Sequence, residues 1–222
     1  MTPEDWQRKF LNQIVCGDCL DLLKELPDKC VDLVLTDPPY GMGERMQGGT
    51  WGTAQKYADM REWDHKPSAE YFDEILRVSE VAVIWGGNYF GLPESRCWLV
   101  WDKQNALPTM ADCELAWTNL DRPTKRMSLP VGISHFGHPT EKPLLLMEWC
   151  LRLLPKNCLI LDPFCGSGTT CVAAKMLGRK YIGIDVNPNY VEISRKRLEA
   201  VDTGVPVKEA RAGQMALFGG TP

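Results

Sequence analysis

Short apolar runs alternate with helical patterns along most of the 222-residue chain, and that alternation restricts the fold more than any other feature. The runs at 12–18, 30–37, 81–88, 158–164 and 180–186 read as strands. They are apolar almost throughout, as strands are when both faces of a parallel sheet are covered. Helical spacing occupies 20–28, 68–79, 141–155, 167–178 and 187–201, with Gly178 as a stop, Asn187 as an N-cap and Pro188 in the first turn. No helical pattern separates 96–103 from 113–119, so these two strands are expected to pair antiparallel. The expected fold class is α/β: a doubly wound, mostly parallel, seven-stranded sheet with helices on both faces. One domain is expected over 1–202, interrupted by a mobile loop at 41–66 (Gly-rich and aperiodic over 41–62) and a short polar segment at 120–138. The Gly/Pro/Ala-rich 203–222 reads as a flexible tail.

Composition narrows the class. No apolar run approaches the roughly 18 residues of a membrane span, and the start, "MTPEDWQRKF", has no signal-peptide core. The expectation is a protein of the cytoplasm with no membrane partner. Of the nine cysteines, only Cys16 and Cys19 have ligand-like spacing, and no second such pair completes a tetrahedral site. No metal is expected; Cys165 and Cys171 read as packing residues. A net charge of −4 argues against a surface that grips nucleic acid everywhere. It leaves room for a local basic groove: Arg122, Lys125, Arg126, His135, His138 and Lys142 face one acid, Glu141, within 122–142. By charge alone the favoured reading of that stretch is a solvated loop.

Three strand ends carry chemistry. "VLTDPPYGMG" (34–43) leaves an apolar run through an acid, two prolines and a tyrosine, and neither proline can continue a ladder or a helix interior. "LDPFCGSGTT" (161–170) passes from Asp162 through Gly166 and Gly168 into a helix, a turn that lets a ligand approach backbone N–H groups. It is neither a dinucleotide fingerprint nor a phosphate loop. A nucleoside carrying a charged amino acid suits it better than a pyrophosphate. "YIGIDVNP" then puts Asp185 about 20 residues further on, at a strand end where a carboxylate accepts from ribose hydroxyls.

These segments, with "GDCLDLL", "WGGNYF", "WDK" and "HPTEKP", resemble the amino-group DNA methyltransferases that use S-adenosylmethionine. The likeness runs from about Ile14 to about Leu198, and the "DPPY" and "DPFCGSGTT" pair is its most specific part. "DPPY" precedes the glycine turn, the circularly permuted order of the beta subgroup.

The resemblance implies direct methyl transfer to an exocyclic amine of a flipped base in double-stranded DNA. Asp37 and the carbonyl of Pro38 would accept hydrogen bonds from that amine, Pro39 would stiffen the turn, and Tyr40 would stack on the base. An Asp at 37 rather than a Ser resembles the adenine enzymes more than the cytosine ones. The implied cofactor set is Asp18, Cys19, Asp37, Thr140, Lys142, Asp162, Phe164, Gly166, Gly168, Thr169, Asp185 and Val186. Several members have an ordinary alternative: Asp18 as a helix cap, Lys142 as a solvated helix-start lysine, Asp162 as a turn-stabilising acid. The 120–138 segment becomes a short DNA-recognition element, with Arg122, Lys125, Arg126, His135 and His138 on DNA. The family also suggests a homodimer. In the tail, Gln214-Met215-Ala216-Leu217-Phe218 resembles the peptide that bacterial replication proteins insert into the sliding clamp; the alternative is a tail folded back on the sheet.

Overall fold

The computed structural model describes residues 3–41, 65–104, 111–131 and 141–204. Thr140, His135, His138, nearly all of the 41–66 loop and the tail from 205 lie outside the described residues.

In chain order the elements are α1 (Pro3–Phe10), β1 (Gln13–Cys16), α2 (Cys19–Lys24), β2 (Val31–Thr36), α3 (Ala69–Val78), β3 (Ser79–Trp85), β4 (Trp98–Asp102), β5 (Cys113–Thr118), β6 (Lys125–Ser128), α4 (Leu144–Arg152), β7 (Leu159–Asp162), α5 (Thr169–Met176), β8 (Lys180–Asp185) and α6 (Pro188–Thr203). The strands form one sheet in the order β1-β8-β7-β2-β3-β5-β4-β6. Every pairing is parallel except the two made by β5, with β3 and with β4. The expected antiparallel pair is therefore β4–β5.

Among the described residues, eight strands stand where seven were expected. The extra one, β6, reads "KRMS" and is mostly exposed, so no apolar pattern marks it. Its backbone pairs with the edge strand β4, and its charged side chains blunt the new edge. Helix α1 was not apparent in the sequence either. Its Trp6 and Phe10, one helical turn apart, are buried in the core.

Side-chain alternation along the strands creates two cores. Leu33 and Leu35 of β2 point to the face covered by α4, α5 and α6, where Leu146, Cys150, Ala173 and Val191 are buried. Val34 points to the face covered by α1, α2 and α3, with Phe10, Leu23 and Ile75. The chain steps outward from β7 through β8 on one side and from β2 through β3 on the other. Strands β2 and β7 thus flank the topological switch point, where open α/β sheets form a crevice beyond their strand ends. Among the described residues no helix is long and apolar enough to cross a membrane.

Candidate active site

Both proline-bearing strand ends arrive at this crevice. The β2–β7 pairing sets Val34 beside Leu161, so Asp37 and Asp162 follow on adjacent strands. The buried Thr36 hydroxyl donates to Asp162 Oδ1 at 2.7 Å, tying the two segments together. Asp162 also accepts from the Phe164 N–H at 3.2 Å. Burial pushes its carboxyl up to about 7, against the bonds from Thr170, Thr36 and the Phe164 amide.

Asp37 is engaged on both oxygens. Tyr40 Oη donates to Oδ1 at 2.6 Å, and the ammonium of Lys142 pairs with Oδ2. Burial raises the Asp37 carboxyl above its ordinary range, with Lys142 pulling the other way. The Tyr40 ring lies 5.1 Å from that of Tyr89 and 6.1 Å from that of Phe90. Gly86 makes room for it. With φ +66°, a Cβ there would stand 2.1 Å from Tyr40 Cε1. Tyr89 itself is 43% exposed, so the aromatic cluster has an open side.

The glycine turn is held from three directions. Asp185 accepts from the Gly166 and Asn187 N–H groups, each at 2.8 Å. Ser194 Oγ donates to the Gly166 carbonyl at 2.8 Å. Arg197, 3% exposed, donates to the Ser167 carbonyl at 2.7 Å and to Thr169 Oγ1 at 3.1 Å, and pairs with Glu141 at 3.0 Å. Gly168 (φ +81°) has no space for a side chain, since a Cβ would meet Ser194 Oγ at 2.7 Å. Asp18 caps α2 by accepting from the Leu20 N–H at 2.8 Å, and Tyr71 Oη lies 3.3 Å from both its oxygens. The Tyr71 ring in turn sits 5.9 Å from that of Phe164. Cys19 is buried, whereas Val186 is 63% exposed beside Asp185. Cys165 and Cys171 are both buried in the core.

The structure thus gathers Asp18, Asp37, Lys142, Asp162, Phe164, Gly166, Gly168, Thr169, Asp185 and Val186 along one edge of the sheet. Lys142 is neither solvated nor free. It is 8% exposed and shared by Asp37 and Glu114, the latter at 3.1 Å. Glu114 and its second partner, the buried Lys103 at 2.5 Å, were not apparent in the sequence. Arg197 and Thr36 were missed too.

The basic group is divided. Arg122 precedes β6 at the opposite edge of the sheet, where it is half-buried and donates to the Leu153 carbonyl at 3.0 Å, just past α4. It lies beside a helix end. Lys125 and Arg126 remain exposed on β6. Among the described residues, no group of three His, Cys, Asp or Glu side chains could hold a metal ion.

Three comparisons bear on this geometry. A family model described as DNA methylase, covering N6 and N4 methyltransferases, matches residues 88–196. The type II methyltransferase M.HinfI of Haemophilus influenzae is 28% identical over 86% of this chain and 69% of its own. Among solved structures, the M1.HpyAVI–SAM complex superposes with a TM-score of 0.56 at 24% identity, over 84% of this chain and 98% of that one. The cytosine-N4-specific PvuII DNA methyltransferase gives 0.57 at 20% identity, over 86% and 89%. At these identities the superpositions report the fold.

Proposed function

We propose that this chain, which belongs to the DNA methylase family of N6 and N4 enzymes, methylates the 6-amino group of adenine in double-stranded DNA with S-adenosylmethionine. The carrying observation is the Asp37 carboxylate at the switch-point crevice, beside the open aromatic cluster of Tyr40 and Tyr89.

An exocyclic base amine is a poor nucleophile, because its lone pair is delocalised into the ring. Asp37 and the Pro38 carbonyl accept hydrogen bonds from it and favour a pyramidal nitrogen, whose lone pair is then free to attack. The N–C bond forms as the S–C bond breaks, sulfur keeps the electron pair, and one proton leaves the nitrogen for solvent. Tyr40 holds the extruded base by stacking.

The donor set suits the cofactor. Asp18, Asp162 and Asp185 stand at the ends of three strands, and the exposed Val186 lies among them. When bound, the cofactor supplies a methyl group activated by a sulfonium. Asp185 would take the ribose hydroxyls, Asp18 would bond the adenine, Asp162 with the backbone of Phe164 and Gly166 would hold the methionine end, and the exposed Val186 lies beside Asp185. Thr140 stays in the proposal on sequence grounds.

Asp185→Ala is expected to weaken cofactor binding by about 1–3 kcal/mol, since the ribose bonds and the brace on Gly166 are lost together. Unchanged affinity by calorimetry would remove Asp185 from the site.

Cofactor affinity is also expected to rise with pH through about 7, where burial has placed Asp162. A raised carboxyl is protonated below that pH, and a bound ammonium favours the ionised form. Each binding event on the acid side therefore releases a proton. Titrations at pH 6 and pH 8 in buffers of different ionisation heat check this. Affinity and proton release that do not vary with pH would separate Asp162 from the ammonium.

On DNA, Arg122, Lys125, Arg126, His135 and His138 would make the contacts. So short a segment supplies few contacts to base edges, so a short or relaxed target sequence is expected. We also propose contact with a sliding clamp through Gln214–Phe218, and a homodimer. The deciding experiment is nucleoside analysis and methylation-sensitive sequencing of DNA exposed to the protein. N6-methyladenine supports this reading, N4-methylcytosine replaces the base, and no methylated base overturns it.

A further inference from the structure

Lys142 reaches Asp37 from the segment before α4, and its neighbour Glu141 is pinned by the buried Arg197. Its ammonium sits 3.1 Å from Glu114 Oε2, while Glu114 Oε1 lies 2.5 Å from Lys103 Nζ. The four groups alternate in sign, Asp37–Lys142–Glu114–Lys103, and both lysines are under 9% exposed. Lys142 also stands 5.7 Å over the Tyr40 ring, and Lys103 stands 5.2 Å over that of Trp101. Ammonium groups this buried persist only when paired. The two carboxylates hold the Lys142 ammonium above its ordinary range despite burial. Burial pushes the Glu114 carboxyl up, but the two lysines outweigh it and keep it below its ordinary value.

We infer that Glu114 is a positioning residue for methyl transfer: its carboxylate holds the Lys142 ammonium against Asp37 and offsets that ammonium's charge. The inference rests on the role proposed above for Asp37. As the target nitrogen attacks, it gains positive charge, which an anionic acceptor stabilises and a nearby cation opposes. Asp37, Lys142, Glu114 and Lys103 together carry no net charge beside the amine; without Glu114 they carry one net positive charge. Glu114 also keeps Lys142 in one place, so Asp37 is oriented before substrate arrives.

The test uses the full chain, double-stranded DNA, labelled cofactor and three variants: Glu114→Gln, Lys142→Met and the two combined. Glu114→Gln is expected to lower kcat by about tenfold or more, with KM for both substrates within about threefold of the parent. The combined variant is expected to lose no more than Lys142→Met alone, since Glu114 acts through Lys142. If Glu114→Gln does not fold, the combined variant, which removes one charge of each sign, still gives that second comparison. A folded Glu114→Gln enzyme with kcat within about threefold of an active parent overturns the assignment. So do losses that multiply in the combined variant. A parent inactive on DNA overturns the proposed function as well, which separates the two failures.

Discussion

Asp37→Ala is expected to reduce kcat by about 10²–10³-fold, the range seen when one preorganised transition-state hydrogen-bonding group is removed. The lost contact matters most as the nitrogen becomes pyramidal, so kcat and kcat/KM should fall together while cofactor affinity stays near that of the parent. The fold should survive. Lys142 keeps Glu114 as a partner, and the sheet ladder of β2 ends at Thr36, before the substitution. Steady-state methylation with calorimetry on the same preparation checks both halves. Activity within about tenfold of the parent, equal to ~1.4 kcal/mol, would remove Asp37 from the chemistry.

Gly86→Ala is expected to damage the site from a distance. The residue occupies the left-handed region at φ +66°, which costs an Ala about 1–2 kcal/mol. Its backbone cannot move away easily. The Gly86 N–H donates to the Leu115 carbonyl at 2.8 Å, and the Gly86 carbonyl accepts from the Tyr89 N–H at 2.8 Å. A new Cβ would lie 2.1 Å from Tyr40 Cε1, so the ring must give way. The Tyr40–Asp37 bond and the stacking surface then go together. A drop of several degrees in Tm with about tenfold or greater loss of kcat is the expected result. A variant that melts and turns over like the parent would show that Tyr40 has another place to sit.

Several strand positions were legible because burial on both faces leaves a compositional trace: "CVDLVLTD" and "CLILDPF" are apolar enough to place β2 and β7 from sequence. Helix α6 announced its start through Asn187, whose side chain accepts from the Asn189 N–H at 2.9 Å. The edge strand β6 left no such trace. Its ladder is backbone pairing with β4, and its side chains are polar and mostly exposed, so nothing in "KRMS" distinguishes it from a loop. The Arg122 contact with the Leu153 carbonyl was hidden for a related reason: charge density identifies a polar segment but not the direction in which it leaves the sheet.

The local chemistry of the site was written in contiguous residues. An acid followed by two prolines, and two glycines between a strand and a helix, restrict the backbone wherever they occur. Those constraints act within a few residues, so the catalytic turn and the glycine turn could be found without coordinates. The Asp37–Lys142–Glu114–Lys103 chain could not. Its members lie on four segments up to 105 residues apart. Glu114 reaches the crevice only because β5 runs against its neighbours, which brings the beginning of that strand to the edge where the parallel strands end. Strand direction is settled by long-range pairing and burial, and an isolated Glu at the start of "CELAWT" carries no mark of either.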